Sequence, residues 1–247
     1  MTTRIHRGTL IVGPIVLSAC LPSATGQPFY EAYYLYLDNY PSHRNTGWHE
    51  NVQGIAHDDN HWFITQTDTI WKIPVGHDLN VSPSGAPGVV QRTLGDYPAL
   101  SAYNHLGDIV HFEYGGIGYL VVPLEGQGVV PAITVLLSSD LAYVHHASLR
   151  EQVKCGWCAV DPSGYLYSSE GQPTALLRYS VNWAQLPVSG VLQVELIGPQ
   201  NLYNEVGAAL QLHHMQGGEF SPSGELLYLV SGFFEDTDET AEGIHVF

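Results

Sequence analysis

The sequence predicts an all-β fold, more specifically a β-propeller of four-stranded antiparallel blades. Its 247 residues include 26 Gly and 15 Pro, which separate short runs rich in Val, Ile, Leu and Tyr. A sequence motif also repeats along the chain: an apolar strand leads into a tight turn, and a strand rich in Leu and Tyr follows. Clear copies span residues 158–167 and 218–228, and looser copies begin at Gly54 and Asp108. The copies start roughly 50–60 residues apart, a spacing typical of propeller blades.

Each predicted blade begins with a strand and such a turn. Asp58-Asp59-Asn60 marks the turn in the first blade and Gly115-Gly116 marks it in the second. Pro-Ser-Gly takes this place at 162–164 and 222–224, because these residue types favour turn conformations. The predicted strands, blade by blade, span 52–57, 62–66, 69–74 and 89–94; 106–112, 119–124, 133–138 and 141–146; 157–161, 165–169, 176–181 and 191–197; and 216–220, 226–231 and 243–247.

The fourth blade has three predicted strands, and one further strand is predicted at residues 30–37, before the first blade. Propellers avoid open sheet edges by letting one terminus complete the blade of the other, so residues 30–37 are expected to supply the missing outer strand. Two interpretations follow, a compact four-bladed ring or part of a five- or six-bladed ring. A β-sandwich with similar strand spacing is the alternative fold.

The N-terminus has the features of an export signal. Arg4 and Arg7 precede an apolar run at residues 10–19, which is shorter than the roughly 20 apolar residues that cross a bilayer. The run ends in Leu-Ser-Ala-Cys at 17–20, which resembles the lipobox of bacterial lipoproteins. This resemblance implies cleavage before Cys20 and lipidation of Cys20.

The domain boundaries follow from this N-terminal interpretation. We expect a signal peptide at 1–19, a tether at 20–28 and the propeller domain at 29–247. The protein would then be exported and lipid-anchored in the bacterial cell envelope. Ordinary signal peptidase cleavage near Ala19 or Ala24, which would give a secreted protein, is the alternative.

The charge of the chain limits its partners. Eight Lys and Arg stand against 24 Asp and Glu, for a formal net charge of −16. Because like charges repel, nucleic acid and anionic membrane surfaces are poor partners, and membrane contact is expected only through the lipid anchor. Small polar ligands, carbohydrates and protein partners remain.

The turn motifs also indicate a family. Asp161-Pro162-Ser163-Gly164 and the matching Ser-Pro-Ser-Gly at 221–224, each followed by Leu and Tyr, resemble blades of the TolB-like, NHL-like and gluconolactonase-like propeller superfamily. The resemblance covers residues 50–247. It implies a propeller fold, and because many unrelated functions share that fold it implies no particular activity.

The segments that lead into the inner strands predict a site at one rim of the propeller. Three of the four segments carry His, and acidic residues lie nearby. Imidazole with carboxylate favours zinc, manganese or iron, whereas carboxylate with carbonyl favours calcium, so one divalent metal such as calcium or zinc is a candidate cofactor. The alternative is that these side chains hydrogen-bond neighbouring strands. The candidate ligands are His49, Glu50, His105, Asp108, His214 and Glu219.

Cys155 and Cys158 form a Cys-x-x-Cys pair that leads into a strand and turn, not into a helix. A structural disulfide is expected in an oxidising compartment. Two buried free thiols, or a redox pair, are the alternatives.

Three functions remain open at this point. The first is a binding module that presents its channel rim to a ligand or partner. The second is a metal-dependent hydrolase or lactonase resembling gluconolactonase-like propellers, and the third is a polysaccharide lyase. A Gly-x-Ser-x-Gly nucleophile motif is absent from the sequence, which argues against a serine hydrolase of the α/β type.

Overall fold

The computed structural model describes residues 40–41, 46–204, 206–232 and 243–247. The chain divides into two units, Met1–Tyr40 and Pro41–Phe247, and every helix and strand given below belongs to the second. The predicted signal peptide, the tether with Cys20 and the strand at 30–37 lie outside the described residues. Within the described ranges, no helix is long and apolar enough to cross a membrane.

The second unit contains four antiparallel sheets arranged as the blades of a propeller, which confirms the predicted fold class. In blade 1 the strands pair in chain order: β1 Val52–His57, β2 His61–Gln66, β3 Thr69–Pro74 and β4 Val90–Thr93. Blade 2 consists of β5 His105–Leu106, β6 Val110–Tyr114, β7 Ile117–Glu125, β8 Ala132–Leu137 and β9 Tyr143–Ser148. Both β5 and β6 pair with β7, so together they form one interrupted inner strand.

Blades 3 and 4 repeat the pattern. Blade 3 consists of β10 Ala159–Val160, β11 Leu166–Ser168, β12 Ala175–Val181 and β13 Val194–Asn201. Blade 4 consists, in the described residues, of β14 Met215–Phe220, β15 Leu227–Ser231 and β16 Gly243–Val246. Short helical turns lie between the strands, namely 3-10 turns at Leu94–Asp96, Pro98–Leu100 and Trp183–Gln185 and helix α1 at Leu186–Ser189.

The turn chemistry that predicted the blades is visible in the hydrogen bonds. Oδ1 of Asp58 accepts the N–H groups of Asn60 (2.7 Å) and His61 (2.6 Å). Oδ1 of Asp161 likewise accepts the N–H groups of Ser163 and Tyr165, both at 2.9 Å. An Asp at this position therefore satisfies the backbone of the turn locally, which explains why the repeated motif marks the blades.

Apolar clusters between neighbouring blades form the core. Each cluster joins the facing sides of two sheets, and burying one such large side chain contributes about 1.5–3 kcal/mol. Phe63 and Leu120 are buried between blades 1 and 2, and Val135 and Tyr179 between blades 2 and 3. Trp157 and Leu229 are buried between blades 3 and 4. A fourth cluster around Trp48 and Trp71 covers the other face of blade 1.

The inner strands meet at Asp108, between β5 and β6. The N–H of Asp108 donates to the carbonyl of Gly156 in the segment before blade 3 (3.0 Å), and Oδ2 of Asp108 accepts the N–H of Gly218 in blade 4 (3.0 Å). A Cβ atom on Gly54 of blade 1 would lie 2.2 Å from Oδ1 of Asp108, so only glycine fits there. Asp108 therefore contacts residues of all the other blades. Its backbone N–H bonds to Gly156 and not to β7, and the inner strand of blade 2 is interrupted at this residue.

Candidate functional site

A cavity of about 640 Å³ lies at the end of the propeller where the inner strands begin. Segments of all four blades contribute to its wall. The lining residues are Gln53, His105, Glu125, Lys154, Gly156, Glu170, Gly171, Gln172, His214, Met215 and Gln216. We call this space the rim cavity. Its position confirms that the segments before the inner strands converge on one rim.

Hydrogen bonds between blades hold several of the residues that line the rim cavity. His105 and Glu125 are direct partners in the antiparallel pair β5–β7. Nε2 of His105 lies 3.2 Å from Oε1 of Gln53, which joins blade 2 to blade 1. Oε1 of Glu125 accepts the N–H of Cys155 at 2.7 Å, which joins blade 2 to the segment before blade 3.

The segment that carries Lys154 is held from two sides. The carboxylate of Glu170 accepts the N–H groups of Val153 and Lys154. In the amide orientation that gives both of its polar atoms a partner, the buried side chain of Gln152 donates to the carbonyl of Lys154 (2.9 Å) and accepts from the hydroxyl of Tyr179 (2.9 Å). Side chains with fixed partners lose little conformational entropy when a ligand binds, so this part of the rim is preorganised.

Two of the three described non-glycine residues with positive φ lie at this rim, and the third is Leu141. Asn51 and His214 adopt left-handed backbone conformations, with φ of 52° and 48°. Asn51 lies immediately before β1 and His214 immediately before β14. Non-glycine residues in this region cost of order 1–3 kcal/mol and cluster at functional sites, so the strain supports a site here.

A second cavity of about 300 Å³ adjoins the first. His105, Glu125 and Lys154 line both cavities and form the wall between them. Residues that line the second cavity only are Asn104, Gly126, Gln127, Val129, Pro131 and Val153. We call this space the side cavity.

Asp108 and Glu219 lie further along the inner strands. Burial raises the pKa of Asp108 to about 8, hydrogen bonds from the N–H groups of Ile109 and Gly218 oppose this rise, and the charge of Glu219 adds to it. Glu219 is exposed to solvent, and partial desolvation by neighbouring protein atoms raises the pKa of its carboxyl group above the usual value. Two carboxyl groups with raised pKa values thus lie close together near the meeting point of the blades.

The structure does not bring the six predicted metal ligands together. All six candidate ligands are described, and among the residues that the structure describes no group of three or more His, Cys, Asp or Glu could hold a metal ion. Only His105 and His214 share the rim cavity. Asp108 does not face the rim cavity, because its carboxylate accepts the backbone N–H groups of Ile109 and Gly218 at the centre of the propeller.

The other predicted ligands have local roles. Nδ1 of His49 lies 3.0 Å from Oγ1 of Thr46. Glu50 lies in the turn before β1, where its backbone carbonyl accepts a hydrogen bond from the side chain of Gln66. Glu219 lies on β14, beyond the residues of that strand that line the rim cavity.

In the structure Cys155 and Cys158 are both free and buried, which is the arrangement of the alternative of two buried thiols and not of the expected disulfide. Sγ of Cys155 lies 3.2 Å from Oγ of Ser168, whereas Sγ of Cys158 contacts the carbonyl of Val121 at 3.7 Å. The two thiols are therefore directed to strands of different blades. Burial raises the pKa of Cys155 to about 12 and that of Cys158 well above its usual range, so neither forms the thiolate that redox chemistry requires.

Glu125 and Glu170 line the rim cavity but were not among the predicted site residues. Glu125 ends the second strand of blade 2, and Glu170 follows the second strand of blade 3. In an antiparallel pair, the end of the second strand lies beside the start of the first. The signal available in the sequence was therefore a charged residue at the end of each predicted second strand.

Comparisons with known proteins show distant structural similarity only. No protein family model and no curated protein matches the sequence. Among solved structures, the complex of KlAtg21 with the coiled-coil of AgAtg16 matches at 10% identity and a TM-score of 0.47, over 79% of this chain and 52% of that one. This chain thus spans about half the length of that propeller.

Two further solved structures are similar to this chain. Virginiamycin B lyase from Staphylococcus aureus matches at 11% identity and a TM-score of 0.40, over 85% of this chain and 72% of that chain. A candidate gluconolactonase matches at 16% identity and a TM-score of 0.37, over 75% of this chain and 70% of that one. Similarity at this distance does not indicate an activity.

Proposed function

We propose that this chain is an exported propeller that binds a polar ligand in the rim cavity. The observation that carries the proposal is the convergence of side chains from all four blades on one cavity of about 640 Å³. This volume lies within the range of about 300–1,000 Å³ typical of ligand sites. Amide, imidazole, carboxylate and ammonium groups line the cavity, so the ligand is polar and forms several hydrogen bonds.

Binding is favoured over the two enzymatic alternatives by the composition of the rim. A metal-dependent hydrolase or lactonase needs a set of metal ligands, and the described residues do not provide one. A lyase acting on an acidic polysaccharide needs cations to neutralise the substrate carboxylates. Of the described residues that line the rim cavity, only Lys154 carries a permanent positive charge.

A thermal-unfolding screen tests the binding proposal. The leader-free protein would be heated with neutral oligosaccharides, sugar acids and short peptides of defined sequence. A ligand present at about 100 times its dissociation constant adds about 2.7 kcal/mol to the free energy of unfolding. His105→Ala should abolish the shift, whereas His57→Ala, at the opposite end of β1 and exposed, should leave it intact. If no compound stabilises the wild-type protein, the binding proposal is rejected.

The proposed location rests on the N-terminal sequence. An export signal followed by Cys20 supports a protein that is anchored in the cell envelope through lipid on this residue. Expression in a bacterial host should place the wild-type protein in the membrane fraction, and Cys20→Ser should release it. Mass spectrometry of the mature N-terminus would show acylated Cys20. Detection of an unprocessed Met1 in the soluble fraction would contradict the proposal.

A further inference from the structure

The rim cavity and the side cavity share a wall that consists of His105, Glu125 and Lys154. A ligand that extends along these three side chains therefore reaches both cavities. A compact monomer would fill one cavity only. The arrangement therefore favours a chain-like ligand that continues from one cavity into the other.

The chemistry of the two walls favours a peptide over an oligosaccharide. Among the described lining residues there is no Phe, Tyr or Trp, and hence no large apolar ring on which a sugar could stack. The rim cavity instead offers the side-chain amides of Gln172 and Gln216, beside that of Gln53, which already contacts His105 and Asn51. Each amide has both donors and an acceptor, which matches the N–H and C=O groups of a peptide backbone.

The side cavity adds an apolar component. Val129, Pro131 and Val153 lie on its wall, and Val153 is 84% exposed, so it can lose solvent-exposed surface when a ligand binds. Burial of apolar surface contributes about 25 cal/mol for each Å². An extended peptide site has polar groups that contact the peptide backbone and an apolar space for a side chain. The rim cavity has the polar groups, and the side cavity has the apolar space.

Charge selects among peptides. The chain carries 24 acidic against eight basic residues, so its field attracts cations over a long range. At the site, Glu125 and Glu170 outnumber Lys154. Glu125 uses Oε1 to accept the N–H of Cys155, and its other oxygen has no hydrogen-bond partner among the described residues. That oxygen can accept a hydrogen bond from a Lys or Arg side chain of the ligand.

We infer that the two cavities together bind an extended, positively charged peptide segment of a partner protein, an inference that rests on the proposed function of the rim cavity. The backbone of the segment lies along the amides of the rim cavity. A basic side chain reaches Glu125 at the shared wall, and a neighbouring apolar side chain enters the side cavity.

Fluorescence anisotropy with labelled peptides tests this inference. The probes are alternating Lys-Ala peptides of two, four and six residues, and a Glu-Ala hexapeptide of the same length. We expect the affinity to rise at least tenfold from the Lys-Ala dipeptide to the hexapeptide, to fall with added salt, and to be absent for the Glu-Ala hexapeptide.

Two variants locate the binding. Glu125→Gln should lower the affinity for the Lys-Ala hexapeptide about tenfold, while the Gln oxygen still accepts the N–H of Cys155 and preserves the fold. Glu113→Gln, an exposed position on β6 near the opposite end of the inner strand, is the matched control and should have no effect. Gln127→Trp, at an exposed position of the side cavity, should lower the affinity for the hexapeptide and leave the affinity for the dipeptide unchanged.

The possible outcomes separate this inference from the proposed function. If an oligosaccharide or another small compound stabilises the protein and His105→Ala abolishes the effect, while no Lys-Ala peptide binds, the rim cavity is a ligand site and the peptide inference is wrong. Peptide affinity that is independent of length, or equal for Glu125→Gln and wild type, also overturns the inference. If no probe of any class binds, the proposed function itself fails.

Discussion

Replacing Asp108 by asparagine is expected to remove much of the pH dependence of stability between about pH 4 and pH 8. Burial raises the pKa of Asp108 from 3.8 to about 8 in the folded state. The folded protein therefore holds a proton in this range that the unfolded chain releases. The free energy of unfolding should accordingly fall as the pH rises from about 4, and the loss should be complete above about pH 8.

The magnitude follows from the difference between the two pKa values. Each pKa unit corresponds to about 1.36 kcal/mol, so a rise from 3.8 to about 8 corresponds to a loss of about 5–6 kcal/mol between the two ends of this range. This is a large part of the 5–15 kcal/mol that stabilises a typical domain. Glu219 titrates in the same direction, and because the two carboxyl groups interact, the observed midpoint belongs to the pair.

Chemical unfolding followed by tryptophan fluorescence at a series of pH values provides the assay, because Trp157 is buried beside Gly218. Asp108→Asn should be less stable than wild type at pH 5 by about 1–3 kcal/mol, since an amide replaces one of the two oxygens that accept backbone N–H groups. Its stability should then fall less steeply with pH, because only Glu219 of the pair still titrates, and it should exceed that of wild type near pH 8. Parallel stability curves for the two proteins would refute this reasoning.

Two further predictions concern the centre of the propeller. Gly218→Ala should destabilise the protein by about 1–3 kcal/mol, because a Cβ atom would lie 2.4 Å from the ring of Trp157. Gly76→Ala, where a Cβ meets nothing within 4 Å, is the control, and equal melting temperatures of the two variants would contradict the prediction. In the Cys20→Ser variant, which lacks the third thiol of the chain, Cys155 and Cys158 should resist a thiol reagent at pH 8 in the native state and react after denaturation, as followed by absorbance. Rapid labelling of the native protein would show that these thiols are accessible.

The blades were predictable from the sequence because their signals are local. Asp161 accepts the N–H groups of its own turn, so residue identity and turn geometry are linked within five positions. Strand bounds in blade 1 agree with the structure to within a residue or two for the same reason. The convergence of His105 and His214 on one rim was also predictable, because it depends only on the direction in which each inner strand runs.

The chemistry of the centre was not predictable, because it depends on how closely the blades approach. Spacing in the sequence places Asp108 beside His105, yet the narrow centre turns its carboxylate onto the N–H groups of Ile109 and Gly218. The separation of Cys155 from Cys158 has a similar origin, since each thiol contacts a strand that lies far away in the sequence. Distances across the ring, unlike turn geometry, have no local signature.

The hydrogen bond between Asp108 and Gly218 joins positions 110 residues apart. Stacked repeat proteins usually contact only their nearest neighbours, so their units can melt one after another from an end. Here the second and fourth blades share a bond through the middle of the molecule, and the same carboxylate packs against Gly54 of the first. Loss of one blade therefore exposes a buried carboxyl group that the others depend on. We expect the four blades to unfold together in a single transition, as one cooperative unit and not as a series of separable repeats.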